Sequence, residues 1–379
     1  MPVNVLILGE ASRRVVIGAL RLYRQRTDIQ IFFGRQSDTL SLRLFLKPFP
    51  NVKVVDLIRA ADERFIENLK QLSSQIGGFT ILPTDEVYLR LILQNRADLH
   101  AHGVTIKCPD LDTYLLLSEK ESFVKLCRQY QIETPPSVDF PLEFEHPFVV
   151  KPQKQLFQAN VLPYPYLVEN KKAFKQLQHR KIDPSLHFCQ YYIIGPSIYY
   201  SAIYNKGTKV VHFTQINTHQ QPNGKSIFKA CPGEISHELM RKIDRLFEDL
   251  AWDGVMMFEL KLELSTQTYY AIECNPRLWG PNQLCSDNGF DFFSPLLNIP
   301  SEVKPLANSQ HGYLWLNGYL SGLFIGLLTK TKFQIFKPQT PTKIYYRSVW
   351  LRKDTWPFFF LETLTILVEY IPKLLRKKK

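Results

Sequence analysis

The sequence predicts an α/β fold: an open parallel α/β unit first, a β-rich unit after it, and a helical C-terminal extension. Three observations carry this. The first hundred residues alternate short apolar β-type runs with amphipathic runs, the pattern of a parallel sheet with crossover helices. The middle of the chain replaces that alternation with strand-like segments joined at Gly195 and "NKG", and these close in what reads as a hairpin. At 379 residues the chain exceeds one ordinary core, so two or three packed units are expected.

The elements follow in order. "VNVLILGEAS" reads as a buried strand entering a turn, and "RRVVIGALRLYRQR" as an amphipathic helix. "DIQIFFG" and "VKVVDL" are strands, "ADERFIENLKQLSSQ" a helix, and "FTILPTDE" a strand. "VYLRLILQNRADLHAHG" is helical, with Gly103 as its C-cap. "LLLSEKESFVKLCRQYQIETPPSV" reads as one helix stopped by Pro135 and Pro136, and "HPFVVKPQ" as a short strand. "LHFCQYYIIG", "SIYYSAIYN" and "KVVHFTQINT" are strands, "HQQPNGKSIFKAC" a flexible loop, and "ISHELMRKIDRLFEDLAW" a helix. "GVMMFELKLELS" and "TYYAIECNPR" form the hairpin. The expected division is 1–115 for the first unit, 116–187 and 188–300 for a small and a large subdomain of the second, and 301–379 for the extension.

Charge and composition narrow the function. Lys plus Arg number 47 against 35 Asp plus Glu, a net of +12, which favours anionic partners. Part of that excess sits in the last four residues, Arg376 to Lys379, and no basic stripe interleaved with aromatics is visible, so nucleic acid is not an expected partner. The six cysteines form no CxxC pair and no zinc-type spacing, and are expected to be buried and reduced. The first turn lacks GxGxxG, which argues against a nicotinamide dinucleotide. The N-terminal run has no basic segment before a long apolar one, so a cytoplasmic protein is expected.

The hairpin carries the chemistry. If its loop centres on Thr266, Glu259 lies directly opposite Glu273, and two facing carboxylates repel unless a cation sits between them. Asn275 shares the face of Glu273, and two carboxylates with an amide oxygen make a hard oxygen set suited to Mg²⁺. Ile272 and Cys274 are then expected to point into packing, and Arg277 towards the ligand side. A lysine after the apolar "FVV", Lys151, is expected to point at something anionic.

The order "FE…IECNPRLWG" resembles the last strands of the ATP-grasp superfamily, and "SEKES", "FVVKP", "CQYYIIG" and "ILPTDE" (Thr84, Asp85, Glu86) are similar to its earlier elements over about residues 1–300. The nearest look is to the carbamoyl-phosphate-synthase-like, stand-alone carboxylate–amine ligases. The resemblance implies Glu259, Glu273 and Asn275 as ligands to Mg²⁺ (or Mn²⁺), and Lys120 and Lys151 as ATP-binding lysines. It implies the backbone from Gln190 through Tyr191 and Tyr192 to Ile193 as the adenine contact, with the Gln190 side chain at the ribose. Arg277, with Lys151 a catalytic residue, would hold the substrate carboxylate or acyl phosphate. The implied reaction is ATP-dependent amide formation from small carboxylate and amine substrates of amino-acid or peptide type.

The sequence departs from the family after Lys151, where "KPQKQLFQANVLPYPYLVEN" has no glycine to close over phosphates. Lys154, or Gly224 with Lys225, are the candidates to replace that clamp. The second reading is therefore a nucleotide-binding protein without turnover. Beyond residue 300, Gly318, Gly322 and Gly326 would line one side of a helix packed on the preceding unit. "FFFLETLTILVEYIPKLLRKKK" reads as an amphipathic helix with a basic end, so the partner expectations add a homo-oligomer and peripheral membrane contact through residues 355–379.

Overall fold

The computed structural model describes residues 2–8, 13–141, 143–153, 161–162, 165–180, 182–222, 226–306, 310–337 and 343–377. Lys154, Gly224 and Lys225 lie outside the described residues. The first unit runs β1 (Val3–Ile7), α1 (Arg13–Leu22), β2 (Ile29–Arg35), α2 (Leu40–Leu46), β3 (Val52–Asp56), α3 (Phe65–Ile76), β4 (Phe79–Leu82), α4 (Glu86–Gln94), α5 (Arg96–Ala101) and β5 (Val104–Ile106). All five strands are parallel, in the order β3-β2-β1-β4-β5. Gly103 takes φ 79° just after α5, the left-handed turn that glycine adopts freely.

Residues 111–129 form two helices, α6 (Leu111–Ser118) and α7 (Lys120–Gln129), where one was expected. The break is Glu119, whose extended backbone (φ −86°, ψ 134°) makes it the N-cap of α7. The helix also ends before the prolines, with Gln131 at φ 55°. The consequence is functional: Lys120 becomes the first residue of a helix instead of a mid-helix side chain.

A four-stranded antiparallel sheet follows, in the order β6-β9-β7-β8, from β6 (Ser137–Val138), β7 (Phe148–Pro152), β8 (Tyr166–Val168) and, after α8 (Lys171–Gln178), β9 (His187–Tyr191). The large sheet contains β10 (Ser197–Asn205), β11 (Thr208–Gln220), β12 (Ile227–Pro232), then, after α9 (His237–Asp249), β13 (Gly254–Glu263) and β14 (Thr268–Asn275). "SIFKAC", expected as loop, is the strand β12, because it pairs with β11 on one side. A short helix α10 (Gln283–Asp287) follows the hairpin.

The C-terminal segment is not helical throughout. It contributes β15 (His311–Leu314), α11 (Leu316–Thr329), β16 (Gln334–Ile335), β17 (Tyr345–Ser348) and α12 (Trp356–Lys377). The large sheet therefore runs β14-β13-β10-β11-β12-β15-β17, with β16 on β11. The apolar run from Gly312 is split at Trp315 into strand and helix. Gly318 and Gly322 are buried, but their close neighbours are the Trp315 and Phe333 rings, with Gln221 also near Gly322, not a second helix backbone.

This segment closes back on the first unit. Trp350 and Phe358 pack on Phe45 of α2 at ring distances of 5.9 and 5.3 Å, and all three are buried in one core with the β1–β2 face. Arg21 of α1 donates twice to Asp354, at 2.7 and 3.0 Å. Trp350→Ala would leave a large hole in that core, and is expected to cost about 3–5 kcal/mol in denaturant unfolding. A change below about 1 kcal/mol would show that the extension is not part of the cooperative unit.

Candidate active site

The hairpin brings the two carboxylates together. Glu259 of β13 and Glu273 of β14 are direct ladder partners, as are Met257 and Asn275. The loop itself is half a residue off the assumed centre: Leu260 pairs with Ala271, and Ile272 is a bulge that restores the register at the site. The bulge also corrects one expectation. Ile272 lines the cavity, Ala271 lies in the core, and buried Cys274 borders both.

Hydrogen bonds hold each side chain. Asn275 Nδ2 donates to Glu273 Oε1 at 2.8 Å, and Arg277 Nη2 donates to Asn275 Oδ1 at 3.1 Å. Lys120 Nζ lies 3.4 Å from Glu273 Oε2. Ser197 Oγ donates to Glu259 Oε1 at 2.6 Å. Pro276 ends the strand, and Leu278 N–H then bonds the Pro83 carbonyl, tying the motif to the "ILPTDE" turn. In that turn Thr84 donates to the Leu8 carbonyl, Asp85 caps α4, and Glu86 pairs with Arg90 at 2.8 Å.

The electrostatics separate the two acids. Burial and then the Glu273 charge push Glu259 well above the usual carboxylate range, more than the Ser197 hydrogen bond and nearby lysines pull it down. Burial also opposes ionisation of Glu273, but Lys120, the Asn275 hydrogen bond, Lys151 and Arg277 outweigh it and hold it low. Glu273 is thus held ionised, while Glu259 gives up its proton only at about pH 7. A divalent cation would replace that proton with charge that both acids need. Two facing carboxylates beside an amide therefore fit a hard cation. Among the described residues there is no cluster of three His, Cys, Asp or Glu side chains. Because the cation must displace the proton on Glu259, metal affinity is expected to strengthen as pH rises through the neutral range. Manganese titration followed by electron paramagnetic resonance checks this, and a pH-independent affinity would contradict it.

Lys151 is buried on β7, with Nζ donating to Gln190 Oε1 at 2.8 Å. Burial and then Lys120 push its ammonium down to about 7, against the opposing pull of Glu273 and Glu259. The Gln190 side chain is therefore engaged inside the protein, since it also donates to the Pro135 carbonyl at 3.0 Å. It also borders the cavity.

The backbone after Gln190 has open groups. Tyr191 N–H bonds the Pro136 carbonyl and Tyr192 N–H the Pro147 carbonyl, both at 3.0 Å. Neither proline has an N–H to give back, so the Tyr191 carbonyl on that side gains no ladder donor from Pro136. Ile193 N–H has no partner among the described residues. An acceptor at 191 and a donor at 193 match the edge of an adenine.

Lys120, Lys151, Gln190 to Ile193, Glu259, Glu273, Asn275 and Arg277 line one cavity of about 1310 Å³. Sequence reasoning missed three features of it. A buried hydrogen-bond relay runs from Trp279 Nε1 to Gln215, Asn217, Ser197 and Glu259, with steps of 3.2, 2.7, 3.3 and 2.6 Å. Tyr199 lies opposite Glu259 on β10, and its hydroxyl feels both acids and the charges of Arg14 and Arg277. Arg14 stacks on Trp315 at 3.6 Å and donates to Ser226 Oγ at 3.2 Å. A Cβ at Gly280 would lie in ordinary contact with that guanidinium, at 3.4 Å.

The whole arrangement is similar to solved enzymes. The biotin carboxylase domain of 2-oxoglutarate carboxylase from Hydrogenobacter thermophilus, in complex with MgADP, ADP and bicarbonate, superposes with a TM-score of 0.59 at 14% identity, over 81% of this chain and 71% of that one. The ADP-bound N5-carboxyaminoimidazole synthetase from Staphylococcus aureus gives 0.58 at 13%, over 81% of each. The L-amino acid ligase from Bacillus licheniformis gives 0.55 at 16%, over 80% and 77%. The chain has the ATP-grasp fold. No protein-family profile and no curated protein sequence matches it, so the likeness is one of structure. Within the ATP-grasp fold of this chain, the four-stranded sheet supplies Lys151 and the Tyr191–Ile193 edge, and the large sheet supplies the acids. The two sheets face each other across the cavity.

Proposed function

We propose that the protein is an ATP-dependent ligase that joins a carboxylate to an amine through an acyl phosphate, using Mg²⁺. The observation that carries this reading is the facing pair Glu259 and Glu273, with Asn275 and Arg277 beside them, opposite Lys120 and Lys151 in one cavity. The nucleotide-bound similar structures support it.

In this reading Tyr191 C=O and Ile193 N–H hold the adenine edge. Lys120 and Lys151 hold the phosphates, and the charge that burial withholds from Lys151 is restored when an anion arrives. Glu259, Glu273 and Asn275 would hold magnesium, which when bound neutralises phosphate charge during transfer. Asn275 presents Oδ1 after a half-turn of its amide, an orientation assigned from hydrogen bonding. Arg277 holds the substrate carboxylate, and Arg14, which has no carboxylate partner among the described residues, faces the same side. The carboxylate oxygen attacks the γ-phosphorus and ADP leaves. The amine then attacks the acyl carbon, phosphate leaves with the C–O bond broken, and the new amide nitrogen loses a proton.

The substrates in this reading are small carboxylates and amines of amino-acid or peptide type, and the protein is cytoplasmic. Peripheral membrane contact through residues 355–379 and self-association belong to the same proposal. Phosphate and ADP release from MgATP with pooled amino acids and dipeptides tests it, with acceptor-dependent release as the expected result. Nucleotide binding without release on any pool supports the second reading, nucleotide binding alone, which the glycine-free segment after Lys151 favours.

A further inference from the structure

Glu259 is held from behind. The relay of Trp279, Gln215, Asn217 and Ser197 ends on its Oε1, and none of the four is more than 2% exposed, so each polar group depends on its neighbour in the chain. The direction of the chain follows from its two ends. An indole N–H only donates, so Gln215 must turn its oxygen to Trp279 and its Nε2 to Asn217. Asn217 then accepts through Oδ1 and donates from Nδ2 to Ser197 Oγ. The serine proton goes to Glu259 Oε1, at 2.6 Å. Turning either amide over would set two donors against each other, so the orientation of both is fixed by the tryptophan.

The fold sets both ends of this chain. Ser197 of β10 is the ladder partner of Asn217 of β11, and Gln215 lies two residues before Asn217 on the same face. Tyr199, two residues after Ser197, pairs with Glu259 on β13, so the relay runs along the face of the large sheet that carries the acid. At the far end the Trp279 ring is placed by packing, edge to face on Phe292 at 5.2 Å, in a core shared with the first unit. Trp279 follows Arg277 by two residues and Asn275 by four. The relay thus ties Glu259 on one hairpin strand to the segment that leaves the other, independently of the ladder between them. Glu259 Oε2 accepts no hydrogen bond among the described residues.

We infer that Trp279, Gln215, Asn217 and Ser197 are positioning residues: they commit Glu259 Oε1 to the serine and leave Oε2 as the one oxygen that would meet a divalent cation. The inference rests on the metal reading of the site. A carboxylate already fixed by a hydrogen bond has little rotamer freedom left to lose, and partners of this kind are worth about 10–100-fold in metal affinity. Ser197→Ala removes the last link. Trp279→Phe removes the first and keeps a ring on Phe292. Mn²⁺ is titrated with a non-hydrolysable ATP analogue and followed by electron paramagnetic resonance, in wild type, both single variants and the double variant, with unfolding midpoints alongside. Each single variant is expected to weaken manganese binding by about tenfold. The double variant is expected to bind no more weakly than Ser197→Ala alone, because Trp279 acts only through the serine. A second readout leaves the tryptophan in place. In protein labelled with ¹⁵N-tryptophan, the Trp279 indole N–H signal is expected to move when Mg²⁺ and the analogue are added, and to stay still in Ser197→Ala. Wild-type affinity in Trp279→Phe, two losses that multiply in the double variant, or an indole signal indifferent to Mg²⁺ would each overturn the positioning role and leave the metal reading standing. Wild-type protein that takes no manganese with the analogue would sink the metal reading and the positioning role with it.

Discussion

Glu259→Gln is expected to abolish magnesium-dependent ATP turnover and, in the same protein, to stabilise the unliganded fold. The two effects have one cause. Glu259 sits across a ladder from an ionised Glu273, and its proton is held more tightly in the folded chain than in the unfolded one. A raised carboxylate pKa means that the folded state binds more protons, so stability falls as pH rises through the neutral range. Glutamine keeps the shape and an oxygen for Ser197, and removes that cost. The cost sets in above the unfolded value near 4.5 and is complete above about 7, so the gain is nearly absent at about pH 4 and on the order of 3 kcal/mol at about pH 8. Turnover should fall by about a hundredfold or more, since an anionic ligand is lost where charge develops. Thermal unfolding at the two pH values and an ADP-release assay check both signs. A variant that is less stable at high pH, or that retains full turnover, would mean that the acid pair is a structural feature.

Lys151→Met is the second large expected effect. The side chain is almost fully buried in an apolar strand, and methionine matches its length without the charge. The fold should persist, with Gln190 Oε1 left to accept from water while its Nε2 still donates to the Pro135 carbonyl. Nucleotide handling should not persist. Lys151 and Lys120 both line the cavity beside the acids, and a lost cation at a transferring phosphate costs about a hundredfold in rate. The Michaelis constant for ATP should rise as well, because the ground-state phosphates lose the same contact. Lys151→Arg is expected not to restore rate, because the planar guanidinium cannot occupy the point position of the ammonium. Steady-state kinetics on both variants, with unfolding midpoints as control, give the answer. Unchanged kinetics in the methionine variant would remove Lys151 from the site.

Much of this site was legible in the sequence because its residues are close along the chain. Glu273, Asn275 and Arg277 alternate on one strand, and Glu259 lies one hairpin away. The register came out as assumed, yet for a reason that periodicity does not show: the bulge at Ile272 corrects a loop that is half a residue off centre. The bond between Lys151 and Gln190 was not legible, because a strand position fixes where a side chain starts, not which buried partner it meets. The break at Glu119 carries no glycine or proline, so nothing local announced that Lys120 begins a helix. The relay from Trp279 to Glu259 crosses four segments, and no one of them looks unusual alone. The C-terminal extension was least legible. Its contacts, such as Arg21 to Asp354, join the two ends of the chain, and only the folded molecule brings them together.

The central claim is that Glu259 and Glu273 hold a divalent cation jointly with a nucleotide. Electron paramagnetic resonance of Mn²⁺, titrated with and without a non-hydrolysable ATP analogue, tests it most directly. The account predicts tight manganese binding only when the analogue is present, and its loss in both Glu259→Gln and Glu273→Gln. Analogue binding that is equally strong in EDTA and unchanged in both variants would contradict it.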